Sequence, residues 1–323
     1  MAHNVVMALD RFDPTEKFTP EEMARVRARS NLTGALCVIH AWVVIAAMMT
    51  VFALWPNPLT FLAAVVLIGS RQLGLAILMH DGAHGVLMRS RRLNEFVSQW
   101  FCAWPVFTDT IPYRHYHLVH HRTTQQPDDP DLSLSAPFPI TRASFRRKMI
   151  RDITGQTGFK QRRAQLRAAL GKAGAPFAVR FATFREKLGM PLLVNAILFA
   201  VLAALGYWYF YPIFWLVPLL TWQQVITRVR NIAEHAVVPD NDDVFRNART
   251  TYASWWERVL FAPYWVNYHV DHHLMFYVPC YNLPLLHALL LEKGYGPRME
   301  IKPNYVSIWK EATSRPEPRA VAA

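Results

Sequence analysis

The sequence predicts an all-α integral membrane protein, with four transmembrane helices in two hairpins and a helical cytosolic cap. Three observations lead there: four long apolar stretches, charge-free turns between paired stretches, and basic residues gathered in one part of the chain. The composition already excludes other classes. With 52% hydrophobic residues the chain is too apolar for disorder. Three cysteines in 323 residues leave no disulfide scaffold. A net charge of +12 invites a nucleic-acid reading until the charges are located.

Taken in order, the first helix is expected over 33–55, 23 residues without Asp, Glu, Lys or Arg. The second covers 59–79, 21 residues interrupted only by Arg71. The third and fourth cover 191–210 and 211–228, uncharged from Pro191 to Ile226. A hydrocarbon core of ~30 Å needs ~20 helical residues at ~1.5 Å each, and the fourth stretch reaches that length by running into Thr227 and Arg228. Trp55-Pro56-Asn57-Pro58 breaks the first hairpin. The second turns around Gly206 to Pro212, among aromatic residues suited to a membrane interface. Neither turn is charged, so both termini and the cap (about 80–190 and 229–313) share one side. Between Thr141 and Met190 stand 13 Lys and Arg against two acids, Asp152 and Glu186. Lysine and arginine favour the cytoplasmic face, which places termini and cap there. The basic balance is thus explained by topology and anionic lipid, and no nucleic-acid partner is expected. Ser90 to Trp104 and Leu283 to Leu291 mix apolar and polar residues, as helices at the interface or under the cap would. The first ~30 residues show no signal peptide, and 314–323 is expected to be a disordered tail.

The histidines are the most informative residues. Of 13, eight fall into clusters: His80 with His84, His117-Leu-Val-His120-His121, and His269-Val-Asp-His272-His273. A ninth, His235, follows Glu234 and stands one turn after Asn231. Residues at i, i+3 and i+4 share a helix face, so each H-x-x-H-H offers three imidazoles to one side. Nine exceed what one zinc uses; two metal ions with roughly four or five nitrogens each match the count. Iron suits such a site where positions stay open for dioxygen. His3, His40 and His287 are set aside, and His115 lies off the face of its box. A metal transporter or metal-binding membrane protein is the reading from a different class, but transport needs ionisable residues near the midplane, and these histidines lie outside the spans. A zinc protease lacks its H-E-x-x-H, a serine hydrolase its G-x-S-x-G, and a soluble diiron enzyme its Glu-x-x-His pairs.

The boxes HDGAH (80–84), HLVHH (117–121) and HVDHH (269–273), with N-x-x-x-H (231–235) and four spans, resemble the membrane fatty acid desaturase superfamily over roughly Thr33 to Leu291. The resemblance implies a non-haem diiron centre that spends dioxygen and two electrons on an unactivated lipid C–H bond. It implies His80, His84, His117, His120, His121, His235, His269, His272 and His273 as iron ligands, with Asn231 approaching iron through a water. It implies a fatty acyl substrate, free or in acyl-CoA, glycerolipid or sphingolipid; hydroxylation or ketolation of a lipid or carotenoid is the alternative within the same superfamily. The three-residue spacing inside the first box points toward bacterial or sphingolipid-type enzymes, and the expected site is a bacterial inner membrane. No electron-carrying domain is fused, so a separate donor of ferredoxin, rubredoxin or cytochrome type is expected. The basic segment Arg142 to Lys187 is a candidate docking face for an acidic donor or a phosphate-bearing carrier.

Three carboxylates adjoin candidate ligands. Asp81, Glu234 and Asp271 could each take the second ring N–H of a ligating histidine and fix its tautomer. Arg71 lies nine residues, ~13 Å along a helix, before His80. It either positions a substrate group or pairs with a buried acid or carbonyl.

Overall fold

The computed structural model describes residues 12–316; His3 and positions 317–323 of the expected tail lie outside the described residues. Helices dominate, and three are long and apolar enough to cross a membrane, within Pro20–Leu54, Pro58–Ala83 and Phe177–Ala204. Ser30 caps the continuous helix Asn31–Leu54 by accepting from the Thr33 N–H. Trp55 ends it, because the residue before a proline is pushed out of helical conformation. Asn57 opens Pro58–Ala83 by accepting from the N–H groups of Leu59 and Thr60 at 3.0 and 3.1 Å. Pro58 sits at its first position, where a missing N–H costs nothing. These 26 residues span about 39 Å, longer than a hydrocarbon core of ~30 Å, and the helix runs past the expected end at 79 with the first histidine box at its last turn. The third long helix starts at Phe177 rather than 191 and stops at Ala204, where Gly206 turns the chain with φ +84°.

The fourth expected span, 211–228, is not one helix. A π-turn over Tyr211–Leu216 and a short helix Val217–Leu220 end at Thr221 (φ −118°, ψ −88°), and a new helix runs Trp222–His235. Pro212 and Pro218 remove the N–H groups that a continuous helix would use there. The pieces still pack along the second long helix.

That second helix carries three consecutive polar residues in its apolar length, and each donates to a neighbour's backbone. Ser70 Oγ donates to the Leu260 carbonyl at 3.0 Å, Arg71 Nη2 to the Val259 carbonyl at 2.6 Å, and Gln72 Nε2 to the Trp215 carbonyl at 2.8 Å. Val259 and Leu260 end the helix Trp255–Leu260, where carbonyls have no intrahelical partner and the dipole is negative. Trp215 lies in the π-turn. Without water, such irregular backbone must be satisfied by protein. Arg71 therefore pairs with a carbonyl, its guanidinium also 5.8 Å from the centre of the Tyr264 ring. Arg71→Met is expected to cost about 1–3 kcal/mol by leaving a buried acceptor unpaired. The reading is a lower thermal midpoint in detergent with normal turnover per folded molecule; a turnover defect at full metal loading would return Arg71 to a substrate role.

The remaining helices form the cap, keyed into the long helices rather than resting on them. The Trp104 carbonyl accepts from Asn195 Nδ2 at 3.0 Å, and the Pro105 carbonyl from Trp215 Nε1 at 3.1 Å. Of the two mixed segments, Ser90 to Trp104 becomes the helix Arg91–Val97 followed by a π-turn over Ser98–Ala103, and Leu283–Glu292 is a helix packed into the core. The basic segment folds as Arg142–Ile153 and Gln156–Ala169. Gly158 lies so close to the apolar run that an added Cβ would stand 2.5 Å from the Leu220 carbonyl oxygen. One departure from an all-α chain is a parallel pair of two-residue strands, Thr250–Thr251 and Ile301–Lys302.

Candidate metal centre

Four elements bring the nine expected histidines together. His80 rides on the end of Pro58–Ala83, and His84 caps it. His117, His120 and His121 lie on Thr110–Thr123, His235 closes Trp222–His235, and His269, His272 and His273 lie on the short helix His269–Leu274. Their ring nitrogens form two groups. His80, His84, His117, His121 and His272 make one, and His120, His235, His269 and His273 the other, all donor atoms within a group lying within 4.8 Å of each other. Each H-x-x-H-H serves both groups, because i and i+4 lie ~40° apart around the helix while i+3 falls on the other side of i. His117 and His121 thus face one group and His120 the second; His269 and His273 face the second and His272 the first.

The residues suit a cation. Nε2 atoms approach at 3.0 Å (His117 and His121), 3.1 Å (His121 and His272), 2.8 Å (His235 and His269) and 3.1 Å (His269 and His273). Adjacent ligand atoms on a shell of ~2.1 Å radius stand about 3 Å apart. His80 Nε2, both His84 nitrogens and His121 Nδ1 are buried without a hydrogen-bond partner among the described residues. Burying so many unpaired nitrogens is costly unless something else binds them. Burial, reinforced by neighbouring histidines, holds His117, His121, His272 and His273 well below the usual histidine range. Burial and the charges around them do the same for His235 and His269, and burial beside Arg114 takes His84 down to about 3. Neutral imidazole is the ligating form.

Supporting groups fix several tautomers. Asp129 Oδ1 accepts from His120 Nδ1 at 2.8 Å, and the Asn247 carbonyl from His235 Nδ1 at 3.3 Å, which leaves Nε2 free in both rings. Burial alone would raise Asp129, but the hydrogen bond from His120 and the N–H groups of Asp131 and Gln125 hold it below its ordinary value. Of the three carboxylates singled out by sequence, Asp81 lies 3.5 Å from His80 Nδ1 while accepting from the Cys280 N–H at 2.7 Å. Glu234 Oε2 lies 3.5 Å from His269 Nε2, and its other oxygen accepts from Arg230. Burial pushes Glu234 up to about 7 against the pull of Arg230. Asp271 touches no box histidine. Two positions after His269 it faces away, accepting from His287 Nδ1 at 2.9 Å and from Thr250 Oγ at 2.6 Å. His287, set aside on sequence, thereby supports the third box.

Asn231 lines a cavity of about 50 Å³ with Glu234, His120, His235 and His269. Arg71 is bonded to Val259 and stays off this site. His115 is exposed, and His40 Nδ1 lies 3.0 Å from the Tyr264 hydroxyl. Sequence reasoning missed Asp129, which follows His120 by nine residues across a turn that no helix period spans. It also missed Arg230, although an i, i+4 pairing with Glu234 was there to be read. Arg114 was missed too; its Nε donates to the Ala83 carbonyl at 2.6 Å and ties the second box to the first.

The neutral cluster fixes a pH dependence. Unfolded, each histidine titrates near 6.5; folded, the depressed ones stay neutral, so below that pH the unfolded chain binds more protons. Their contribution is complete above ~6.5 and lost as pH falls through it, at up to ~1.4 kcal/mol per pH unit for each such histidine. Thermal midpoints of metal-loaded protein between pH 7.5 and 5.5 are expected to fall steeply, with metal released in the same step; a flat profile would contradict the buried neutral cluster.

A family model described as fatty acid desaturase matches residues 53–303. Among curated relatives, dihydrorhizobitoxine desaturase of Bradyrhizobium elkanii is 28% identical over 290 residues, 86% of this chain and 78% of its own. The sn-1 oleoyl-lipid 12-desaturase of Anabaena variabilis is 26% identical over 71% of this chain and 68% of its own. A beta-carotene ketolase of Paracoccus sp. (strain PC1) is 26% identical over 79% and 90% respectively.

Proposed function

The chain belongs to the fatty acid desaturase family, and from that premise we propose that it is a membrane-bound lipid desaturase that introduces a double bond into a fatty acyl chain. The observation that carries this is the gathering of nine histidine donors into groups of five and four. An all-imidazole donor set suits iron, and the groups divide as two metal ions require. Two iron ions held by His80, His84, His117, His121 and His272 on one side and His120, His235, His269 and His273 on the other would supply the dioxygen chemistry that attacks an unactivated C–H bond. The overall balance takes two hydrogens from the substrate, two electrons and two protons, and returns two waters per dioxygen.

The chain's own residues orient and shield. Asp129 and the Asn247 carbonyl hold His120 and His235 with Nε2 inward. Glu234, paired with Arg230, faces the cavity that Asn231 also lines, beside His269. Phe276 closes over His84 and His121, its ring centre 5.4 and 5.3 Å from theirs, and limits water at the five-nitrogen group. Electrons come from a separate donor protein of ferredoxin, rubredoxin or cytochrome type. The positive-inside bias supports a cytoplasmic centre at a bacterial inner membrane.

Hydroxylation or ketolation is the second reading, favoured by the likeness to a beta-carotene ketolase. Lipid profiling of cells with and without the protein separates them: a new double bond is expected, and a new hydroxyl or keto group would replace the desaturase reading. No lipid change together with stoichiometric zinc in place of iron would remove both.

A further inference from the structure

The helix Trp222–His235 ends on one of the nine histidines, so the bonds at its last turn decide where His235 points. A helix leaves its last four carbonyls without an intrahelical partner. Here they belong to Ala233, Glu234, His235 and the cap residue Ala236, and Arg249 takes three of them. Its Nη1 donates to the carbonyls of Ala233 and Ala236 at 3.1 and 2.9 Å, and its backbone N–H to that of Glu234 at 2.9 Å. Gln125 Nε2 takes the fourth, the His235 carbonyl, at 2.7 Å. Arg249 also follows the chain beyond the helix, Nη2 donating to the Val237 carbonyl at 2.8 Å, while Nε meets Glu300 Oε1 at 3.2 Å. The residue is 1% exposed, so water cannot replace any of these bonds. The exit it grips is an unfavourable one. Ala236 is extended (ψ 141°) and Val237 has φ +54°, a region that β-branched residues rarely enter. The same segment reaches the third box: Asn247 accepts from His235 Nδ1, and Thr250, next after Arg249, donates its Oγ to Asp271.

Resting on the reading that each histidine group holds a metal ion, we propose that Arg249 is a positioning residue for the four-nitrogen group. Its planar fork holds the left-handed exit at Val237 and so keeps His235 aimed at His269, the two Nε2 atoms 2.8 Å apart. With Thr250 on Asp271, two consecutive residues fix the elements that carry His235, His269 and His273, all of that group except His120. A guanidinium suits the task because its donors diverge in one plane. An ammonium is a single point that cannot reach the carbonyls of Ala233, Ala236 and Val237 together. The five-nitrogen group takes no residue from Trp222–His235 or its exit, so the consequence falls on one metal of the two.

The test uses the full chain in nanodiscs, loaded with ferrous iron without oxygen and dialysed against a chelator. Iron per chain and thermal midpoint are read on the same samples. Wild type is expected to keep two irons and Arg249→Met one, with affinity for the second 10–100-fold weaker, as where other metal sites lose a supporting group. His235→Ala should give the same one-iron state, and the double variant no further loss, because both act through one ligand. Arg249→Lys keeps the charge beside Glu300, disturbs folding less, and is expected to show the same selective loss. Adding Val237→Gly to it should return part of the second iron, because glycine holds a positive φ without a clamp, although it deletes a side chain packed on the core. A merely stabilising Arg249 would instead lower the thermal midpoint and leave two irons per folded chain, or lose both together. Either result overturns the proposal, as does a Val237→Gly addition that recovers no iron. Fewer than two irons in wild type would refute the dimetal reading and the proposal with it; two in both wild type and Arg249→Met would refute the clamp alone.

Discussion

His272→Ala is expected to abolish product formation and to strip the five-nitrogen group of its metal. The ring stands at the centre of that group: its Nε2 is 3.1 Å from His121 Nε2, and its ring centre lies 4.5 Å from that of His80 and 4.9 Å from that of His84. Removing it deletes one of five donors and leaves a void against buried rings that already lack other partners. Loss of a group that merely orients a ligand typically costs 10–100-fold in metal affinity or activity. Loss of the ligand itself should exceed ~100-fold, read as lipid product and as metal per protein by elemental analysis. His115→Ala is the matched control, an exposed histidine on the same chain that should leave both readings unchanged. Wild-type product from His272→Ala would mean that the two groups do not carry the reaction.

The second large effect is expected at Asp271, which no simple reading of its box would choose. The helix His269–Leu274 is six residues long and has no side-chain cap, so its own hydrogen bonds cannot hold three histidines in place. Asp271, fully buried, binds it to two outside points: His287 on Leu283–Glu292 and Thr250 on the first short strand. Asp271→Ala leaves two buried polar partners without an acceptor, at about 1–3 kcal/mol each. It also frees the helix that supplies one nitrogen to the first group and two to the second. Metal retention against a chelator should fall 10–100-fold, comparable to other supporting residues at metal sites. His287→Ala should produce much of the same loss, and the double variant little more, because both remove one connection. Full additivity of the two, or normal metal retention in Asp271→Ala, would show that the anchor does not act through the box.

Much of the site was legible because ligand geometry is local. An H-x-x-H-H on a helix must present its rings to one side, and a pair that follows an apolar stretch must emerge at its end. Those rules hold for His80, His84 and both triplets, and the count of nine already divides as two metals need. The first two long helices were legible for the same reason, since Pro56, Asn57 and Pro58 act on the residues next to them. The fourth expected span fails at Thr221. Apolar composition reports where a chain prefers to be, not which backbone hydrogen bonds it makes, and the turn at Thr221 lies three residues beyond Pro218.

What remained hidden depends on partners distant in sequence. Arg71 looks the same in sequence whatever it faces, and its bond to the Val259 carbonyl depends on the docking of Trp255–Leu260, 188 positions away. Asp129 and His287 support the boxes from outside any helical period. By itself the sequence determined a mostly helical chain with long apolar helices, and nine histidines at spacings that a helix turns to shared faces. The tertiary structure alone decided how those histidines divide into five and four and which carboxylates hold them. Periodicity constrains neighbours within a few turns; the closing of one segment on another is set by packing over the whole chain.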